Sequence, residues 1–367
     1  MDKKFFLEAP NLGLEYIKSL EKEEKYTFFP SKKGLTNYGE RLSLGFSCLA
    51  LKVFYMTGEW QDLKTLHKEK WVQHINSFQV EDSKFPKNSY LDPVLINSYT
   101  NLDYKENIKY ILKRILSISP NFNYDSKNVA INKAINAETK QAVSTLHEVG
   151  YKNNKEINKV YSIGHDISYY LNTLDWSKPW SSGAQFASMC VFSETQGLNL
   201  KSELQSFIKK ISDKETGSYF KEHPKSNREV INGAMKVISG LDWLETEIHN
   251  PKKLIDFCLN NKPILEGCDV VDYVYVLYKC SNQENYRKKE IVLLFDQILT
   301  DIKKLYIADD GGFSYFIGKS QTHYYGVEIT KGLNSADIHS TTLCIWALIM
   351  ILDTLEMKNS KMNIIKP

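Results

Sequence analysis

The apolar residues of this chain recur at spacings of three and four along most of its length, which is the period of an α-helix. Two segments, Ser43–Tyr55 and Thr341–Leu352, are apolar on most of their circumference. Neighbouring elements must cover such a helix on more than one side, so both segments are expected in an inner layer. Convincing strand patterns are almost absent. The sequence therefore predicts an all-α protein with two layers of helices, one inside the other.

The helical segments are bounded by Gly, Pro, Asn and Asp, which cap or end helices. The predicted helices are Gly39–Met56, Lys105–Ile118, Glu138–Val149, Gly183–Glu194, Leu200–Ser212, Arg228–Leu244, Pro251–Leu259, Asp269–Cys280, Lys288–Leu305 and Asp337–Leu355. Two long stretches, Ser119–Asn136 and Gly318–Gly332, have no helical period and are expected to be loops. No Gly/Ser- or Pro-rich linker divides the chain. We expect a single domain over residues 1–367, in which the first 35 or so residues form either an extension or part of the body.

A short acidic and aromatic turn recurs beside the helices. It reads EDSKFP at Glu81–Pro86, ETGSYF at Glu215–Phe220 and DDGGFSYF at Asp309–Phe316. The spacings between these turns are close to multiples of about 45 residues, which is the length of a helical hairpin repeat. Gly-aromatic turns are also common loop chemistry, so the same residues can be explained without a repeat.

Composition and charge exclude several classes of function. The 47 Lys and Arg against 44 Asp and Glu are spread along the chain, unlike the basic patch of a nucleic-acid-binding protein. The most apolar run, Leu343–Leu352, has ten residues, whereas a membrane span needs about twenty. The sequence contains no Walker loop, dinucleotide-binding glycine motif, serine-hydrolase elbow or zincin motif. The first residues contain no apolar stretch long enough for a signal peptide, and the six cysteines are widely separated, so we expect reduced thiols in a cytoplasmic protein.

Several C-terminal motifs occur together. A DGGF-type turn at Asp310–Phe313 is followed by a Gly-rich loop and by D-x-H-x-T-T from Asp337, which opens an apolar helix. Upstream, WSSGAQFASMCVF and INGAMKVISGL carry small residues where helices approach closely. Together these segments resemble the α/α-toroid superfamily of the terpenoid cyclases and the protein prenyltransferase β subunits. The resemblance covers about the last two thirds of the chain and implies an α/α toroid, a concentric barrel of helical hairpins. It supports a fold more than an activity.

The motifs that carry chemistry in that superfamily are incomplete in this chain. The D-x-D-D proton donor of the class II cyclases has no counterpart, and the nearest string runs from Asp269 to Asp272. The zinc site of the prenyltransferases would match Asp272 and His339, but Val274 occupies the position of the cysteine ligand. We therefore expect no zinc, whereas Mg²⁺ would accompany a bound diphosphate. Toroids also include sugar lyases, glucuronyl hydrolases and sugar epimerases, which line their cavities with aromatic, His and carboxylate side chains.

The first candidate site contains Asp309, Asp310, Asp337 and His339, which a toroid would bring to one rim. Asp310 or Asp337 is the candidate catalytic acid, assisted by His339, and Phe313 and Tyr315 of the adjoining turn are candidate substrate contacts. An Asp before a helix is also the usual N-cap, and an Asp in a turn commonly stabilises that turn.

The second candidate site lies in GHDISYY, Gly164–Tyr170, and LDWSKPWSSGAQ, Leu174–Gln185. His165 and Asp166 are candidate catalytic residues, and their aromatic neighbours suit stacking on a sugar or shielding of a carbocation. Those candidate substrate contacts are Tyr169, Tyr170, Trp176 and Trp180. Ordinary packing explains the same aromatic residues.

The third candidate site lies in GCDVVDYVYVLYKC, Gly267–Cys280. On a helix Asp269, Asp272 and Tyr273 share one turn, and we take Asp272 and Tyr273 as substrate contacts. The helix dipole alone also favours an Asp in the first turn. Three residues near the INGAMK segment are candidates for binding a carboxylate or diphosphate, or belong to a solvated helix face: Arg228, Glu229 and Lys236.

Three functions are consistent with these patterns. The first is a terpenoid cyclase- or prenyltransferase-like enzyme that acts on an isoprenoid in an aromatic cavity by acid-initiated carbocation chemistry. The second is a carbohydrate-active enzyme in which His165 or His339 with a Tyr moves a proton at an acidic sugar. The third is a non-catalytic helical scaffold. An apolar cavity wall favours the first, Lys, Arg, Asn and Gln favour the second, and a filled interior favours the third.

Overall fold

The computed structural model describes residues 3–81, 84–100, 127–157 and 166–367. Helices account for 58% of the structure and strands for 6%, so the predicted all-α class is confirmed. The helices in the described ranges are α1 (Lys3–Ser19), α2 (Asn37–Arg41), α3 (Leu44–Met56), α4 (Glu59–Asp62), α5 (Thr65–Asn76), α6 (Pro93–Thr100), α7 (Lys127–Glu148), α8 (Ile167–Thr173), α9 (Pro179–Gln196), α10 (Lys201–Lys210), α11 (Asn227–Trp243), α12 (Pro251–Asn260), α13 (Asp269–Gln283), α14 (Lys288–Lys304) and α15 (Ile338–Thr354). Two antiparallel hairpins pair β1 (Tyr306–Ile307) with β2 (Gly312–Phe313), and β3 (His323–Tyr324) with β4 (Val327–Glu328).

Six long helices contact one another in a closed cycle. In chain order they are α3, α7, α9, α11, α13 and α15, and α15 packs against α3 to close the cycle. Helices α3 and α15 contain the two segments that are apolar on most of their circumference, and nearly all of their residues are buried. Burial on all sides is what that pattern requires.

Amphipathic helices cover this cycle. Helix α1 packs against α3 and α15, α5 against α3, α10 against α9, α12 against α13, and α14 against α13 and α15. Helices α12 and α14 each bury a single apolar stripe and expose their charged residues, as helices at a surface do. Each of these helices precedes a member of the cycle in the chain, so a covering helix and an inner helix alternate.

Short antiparallel bridges follow several covering helices. Glu21 pairs with Phe28, Gln79 with Tyr90, and Ser212 with Tyr219, and the β1–β2 hairpin follows α14 in the same way. Two of the predicted acidic turns coincide with these bridges, whereas residues 82–83 of the third turn lie outside the described ranges.

The loop predicted at Ser119–Asn136 is wrong from residue 127 onward, because α7 begins at Lys127. Ile131, Ala134 and Ile135 are buried at helical spacing, and the surrounding Asn and Lys residues conceal this period in the sequence. The predicted helix Lys105–Ile118 lies outside the described residues. The stretch Gly318–Gly332 is non-helical and contains the β3–β4 hairpin.

Residues 357–367 cross one end of the cycle. Asn363 N donates to Met56 O at 2.9 Å, and Lys366 N donates to Glu148 Oε1 at 3.4 Å. Trp243 Nε1 donates to Pro367 O at 2.9 Å. These contacts reach the last residues of α3, α7 and α11, so the three helices end on the same side of the cycle.

Aromatic residues form clusters in the core. The Trp71 ring lies 5.0 Å from Phe54, 5.6 Å from Phe28 and 6.2 Å from Trp60 between ring centroids. All six cysteines are free thiols. None of the described helices has the length and apolar character needed to cross a bilayer.

Candidate functional site

Three lysines extend into the middle of the helix cycle. Lys52 is on α3, Lys140 on α7 and Lys236 on α11, and α3 and α11 stand at opposite positions of the cycle. Burial lowers the pKa of Lys52, and the charge of Lys236 lowers it further. Burial and then the charges of Lys52 and Lys236 hold the pKa of Lys140 well below its ordinary range. Ammonium groups on opposite helices of the cycle can shift one another's pKa only if their side chains come close together near its centre.

Lys52 and Lys140 are surrounded by protein, yet each retains partial exposure, and the Lys236 side chain is 24% exposed. No ion pair or hydrogen bond joins Lys52 Nζ or Lys140 Nζ to another of the described residues. Lys236 Nζ lies 3.7 Å from Asp272 Oδ1. The charge of Glu148 favours the charged form of Lys52, but no ion pair neutralises it, so an anion bound beside Lys52 would be stabilised.

Asp272 faces this group from the first turn of α13 and is fully buried. Neither of its carboxylate oxygens has a hydrogen-bond partner among the described residues, since 3.7 Å to Lys236 is too long for one. Burial raises the pKa of Asp272 to about 6, and Lys236 opposes the rise. Buried acceptors in folded proteins are normally satisfied, so the two free oxygens indicate a place for donors of a ligand.

Asp269, one turn earlier, differs from Asp272 in its partners. It accepts hydrogen bonds from Arg228 Nε at 2.9 Å and from Asn232 Nδ2 at 2.7 Å. The two carboxylates therefore do not form an equivalent pair. Asp269 anchors α11 to α13 through hydrogen bonds, whereas Asp272 faces α11 only through Lys236 at 3.7 Å.

His339 lies in the first turn of α15, where the charges of Lys236 and Lys52 act on it. Its Nδ1 is buried without a partner among the described residues. Burial first, and then the charges of Lys236 and Lys52, lower the pKa of His339 to about 4. The imidazole is consequently neutral at pH 7 and can accept a proton. Trp346, two turns further along α15, also has a buried and unpartnered Nε1 in the described structure.

Tyr315 lies over His339, with 5.8 Å between ring centroids and 23° between ring planes. Its hydroxyl is 3.1 Å from Cys268 Sγ, and Gly267 N donates to Tyr315 O at 2.6 Å. A Cβ on Gly267 would lie 2.6 Å from the Tyr315 ring, so only glycine allows this approach. The loop before α13 thus fixes the tyrosine that the turn before α15 presents to His339.

A tyrosine from the Gly318–Gly332 stretch enters the cycle between α3 and α7. Tyr324 Oη donates to Glu138 Oε1 at 3.3 Å. A Cβ on Gly45 would overlap the Tyr324 hydroxyl, so Gly45 makes room for it. Burial holds the pKa of Glu138 well above its ordinary range. The residues predicted from the sequence did not include Lys52, Lys140 or Glu138, because charged residues on helices are usually solvated.

Asp310 and Asp337, the predicted catalytic acids, are engaged in local structure. Asp337 caps α15 through Ser340 N at 2.8 Å and also accepts from Gln321 N at 2.9 Å. Asp310 accepts from Ser335 Oγ at 2.6 Å and from Ala336 N at 2.8 Å. These bonds give both carboxylates a structural role, and we leave them out of the proposed site. Phe313 is fully buried against Tyr306 and belongs to the core.

The second predicted cluster is spread over the surface and the core. His165 lies outside the described residues, and Asp166 is an exposed N-cap that accepts from Ser168 N at 2.8 Å. Tyr169 is 73% exposed and Trp180 46% exposed, so neither lines an enclosed space.

Three other predicted contacts make internal hydrogen bonds. Trp176 is buried and donates to Leu171 O at 2.8 Å. Tyr273 donates to Cys258 O at 2.6 Å, which directs its ring toward α12 and away from Asp272. Tyr170 is half-buried, and its hydroxyl donates to Gln185 Oε1 on α9 at 3.3 Å.

No family model, curated protein or solved structure matches this chain. Among the described residues, no group of three His, Cys, Asp or Glu side chains is arranged to hold a metal ion. The chemical character of the site therefore rests on the lysines, Asp272, His339 and Tyr315.

Proposed function

We propose that this chain is a single-domain α/α toroid and a carbohydrate-active enzyme that moves a proton on an acidic sugar. The closed order of α3, α7, α9, α11, α13 and α15 supports the toroid, since these helices would form its inner layer. The alternation of covering and inner helices supports a barrel of six helical hairpins. The covering helices α1, α5, α10, α12 and α14 would belong to its outer layer, together with α8, which packs against α10.

The observation that carries the function is the convergence of Lys52, Lys140 and Lys236 beside a neutral histidine. Lys52 and Lys236 would bind the carboxylate of a uronic acid, and the free oxygens of Asp272 would accept hydrogen bonds from sugar hydroxyls. His339 Nδ1 would face the carbon that bears the carboxylate. Polar groups around the space, among them Asn232, suit a sugar better than a hydrocarbon.

The proposed reaction begins with proton abstraction. His339 removes the proton from the carbon next to the carboxylate, and the electron pair is delocalised into the carboxylate. The charges of Lys52 and Lys236 stabilise the resulting dianion. In a lyase, the adjacent carbon–oxygen bond then breaks as the double bond forms, and Tyr315 gives a proton to the leaving oxygen. In an epimerase, Tyr315 instead returns a proton to the opposite face of the same carbon.

An isoprenoid diphosphate is the second candidate substrate. The lysines would attract its diphosphate, Mg²⁺ would accompany that group, and Trp346 and Leu343 supply apolar surface on α15. Ammonium groups would destabilise a neighbouring carbocation, however, and a terpenoid cyclase needs a dry apolar wall around its acid. The cluster therefore favours the acidic sugar.

The test is binding and turnover on a panel of uronic-acid oligosaccharides, with isoprenoid diphosphates in parallel. Native mass spectrometry reports binding, ultraviolet absorbance reports an unsaturated sugar product, and deuterium uptake from D₂O reports proton abstraction. We expect Lys52→Met to weaken acidic-sugar binding by at least about tenfold, since an ion pair with a carboxylate contributes more than about 1.4 kcal/mol. Lys252→Met, at an exposed ion pair with Glu284, is the matched control and keeps wild-type binding.

His339→Ala is expected to abolish turnover and deuterium uptake while folding is retained. Full activity in this variant would remove His339 from the site. Failure of every acidic sugar to bind, together with binding of an isoprenoid diphosphate, would reverse the order of the two candidates. Failure of every panel member would favour a non-catalytic scaffold.

A further inference from the structure

We propose that α11 carries a second anion site at Arg228, and that the acidic sugar bound by this chain is an oligosaccharide with at least two carboxylates. This inference rests on the proposed function and specifies its substrate class. The second site lies at the end of α11 that faces solvent, where an extended substrate would leave the interior of the cycle.

Three polar residues follow one face of α11 at intervals of four positions, namely Arg228, Asn232 and Lys236. Arg228 Nε and Asn232 Nδ2 both donate to Asp269 in the first turn of α13. Lys236 Nζ lies 3.7 Å from Asp272 in the same turn. The row therefore follows the wall between α11 and α13, and it spans about 12 Å at the rise of an α-helix.

The row begins at an exposed end and finishes in the interior. The last residues of α11 lie at the end of the cycle that residues 357–367 cross, because Trp243 bonds to Pro367 there. Arg228, in the first turn, is consequently at the opposite end, and its side chain is 65% exposed. A substrate held by Lys236 would extend toward solvent past Asn232 and Arg228.

Arg228 has donors left for a ligand. Its Nε donates to Asp269 Oδ1 at 2.9 Å, whereas Nη1 and Nη2 form no hydrogen bond with the described residues. A guanidinium has five N–H donors, and two that point the same way pair with both oxygens of a carboxylate. Asp269 therefore holds the guanidinium through Nε and leaves the terminal nitrogens for a second carboxylate.

An unsatisfied acceptor lies between the two cations. Asn232 is 6% exposed, and its Oδ1 has no hydrogen-bond partner in the described part of the chain. The orientation of its amide is fixed, because the carboxylate of Asp269 accepts only donors and therefore faces Nδ2. Buried acceptors are normally satisfied, so the free oxygen indicates a place for a sugar hydroxyl.

The order of groups along α11 is thus a cation, an acceptor and a second cation. This order complements a chain in which a carboxylate is followed by hydroxyls and by another carboxylate. Because about 12 Å exceeds the width of one sugar ring, the two carboxylates belong to different sugars of one oligosaccharide.

The test compares uronic-acid monosaccharides with their tetramers, using galacturonate and mannuronate on the full chain at pH 7. Native mass spectrometry gives the dissociation constants. We expect the tetramer to bind at least about tenfold more tightly than its monomer, since it adds hydrogen bonds between charged groups. Arg228→Met is expected to remove this advantage and to leave monomer binding unchanged, because only the tetramer reaches Arg228. Arg287→Met is the matched control, since Arg287 also pairs with an aspartate, Asp256 at 2.7 Å, but lies beyond the other end of α13.

A conservative variant separates contact with the substrate from a structural role. Arg228→Lys keeps a charge beside Asp269 but cannot form two parallel hydrogen bonds, so it should weaken tetramer binding by at least about threefold at an unchanged melting temperature.

Two results would overturn this proposal and leave the acidic-sugar proposal in place. One is a wild-type protein that binds tetramer and monomer equally, and the other is an equal loss of both affinities in Arg228→Met. Failure of wild type to bind any monomer or tetramer would instead overturn both proposals.

Discussion

Replacing Asp272 by Asn is expected to stabilise the protein at neutral pH. Asp272 is fully buried, and its two oxygens have no hydrogen-bond partner among the described residues. The folded state therefore disfavours the charged form of this carboxylate more than the unfolded chain does. Asn has nearly the same shape and carries no charge, so the substitution removes the penalty for burying the anion.

The size of this effect follows from the pKa of Asp272, which burial raises from 3.8 to about 6. A raised carboxyl pKa means that the folded state binds its proton more tightly, so stability falls as pH rises between about 4 and 6 and is constant above that window. The shift corresponds to about 3 kcal/mol at pH 7, and the value of about 6 already includes the attraction of Lys236. Because Asn imitates the protonated acid imperfectly, we expect a gain of about 1–3 kcal/mol.

The assay is urea unfolding of wild type and Asp272→Asn at pH 4, 5, 6 and 7.5, followed by circular dichroism. The difference in the free energy of unfolding is expected to be small at pH 4 and to reach its plateau above pH 6. Asp269→Asn is the matched control, because this carboxylate is hydrogen-bonded to Arg228 and Asn232 and its loss should cost about 1 kcal/mol. A destabilised Asp272→Asn with the same difference at every pH would refute the reasoning.

Three further predictions concern residues outside the proposed site. Asp337→Ala should lower the free energy of unfolding in urea by about 2–4 kcal/mol, because it removes the cap of α15 and leaves Gln321 N unpaired. A loss as small as that of the exposed cap variant Asp166→Ala would contradict this. Gly312→Ala should cost about 1–3 kcal/mol, since its Cβ would lie 2.5 Å from the Tyr16 ring; an unchanged melting temperature would show that the ring moves aside. Burial raises the pKa of Cys48 to about 12, so a thiol reagent should label it only after denaturant is added, and labelling of the native protein would indicate local opening.

The inner helices were predictable to different degrees. Helices α3 and α15 carry long apolar runs, and a run of that kind has few alternatives to a buried helix. Helix α7 has the same inner position but contains Asn and Lys at many positions, and its first residues were assigned to a loop. Its buried Ile131 and Ile135 have the spacing of a helix, yet two residues are too few to outweigh the polar ones around them.

The site was predictable only in part. Asp272 and His339 were recognised because they match the aspartate and the histidine of the prenyltransferase zinc site. Asp272 also forms an i, i+3 pair with Asp269, and His339 follows a carboxylate at the start of an apolar helix. The role of Lys52 depends on which residues lie opposite α3, and a sequence does not contain that information. One signal was present, however, since Lys52 is the only charged residue in LGFSCLALKVFYM. A lone charge in an apolar helix needs either a partner or an internal space.

The contact between α3 and α15 joins segments that are synthesised far apart in time. Helix α3 leaves the ribosome early, and its final neighbour is made almost three hundred residues later. Until then, one flank of the nascent bundle stays open, and its apolar surface can pair with that of another unfinished copy. Slow joining of such distant segments makes refolding rates sensitive to protein concentration, and a chain truncated before α15 has no competent interior.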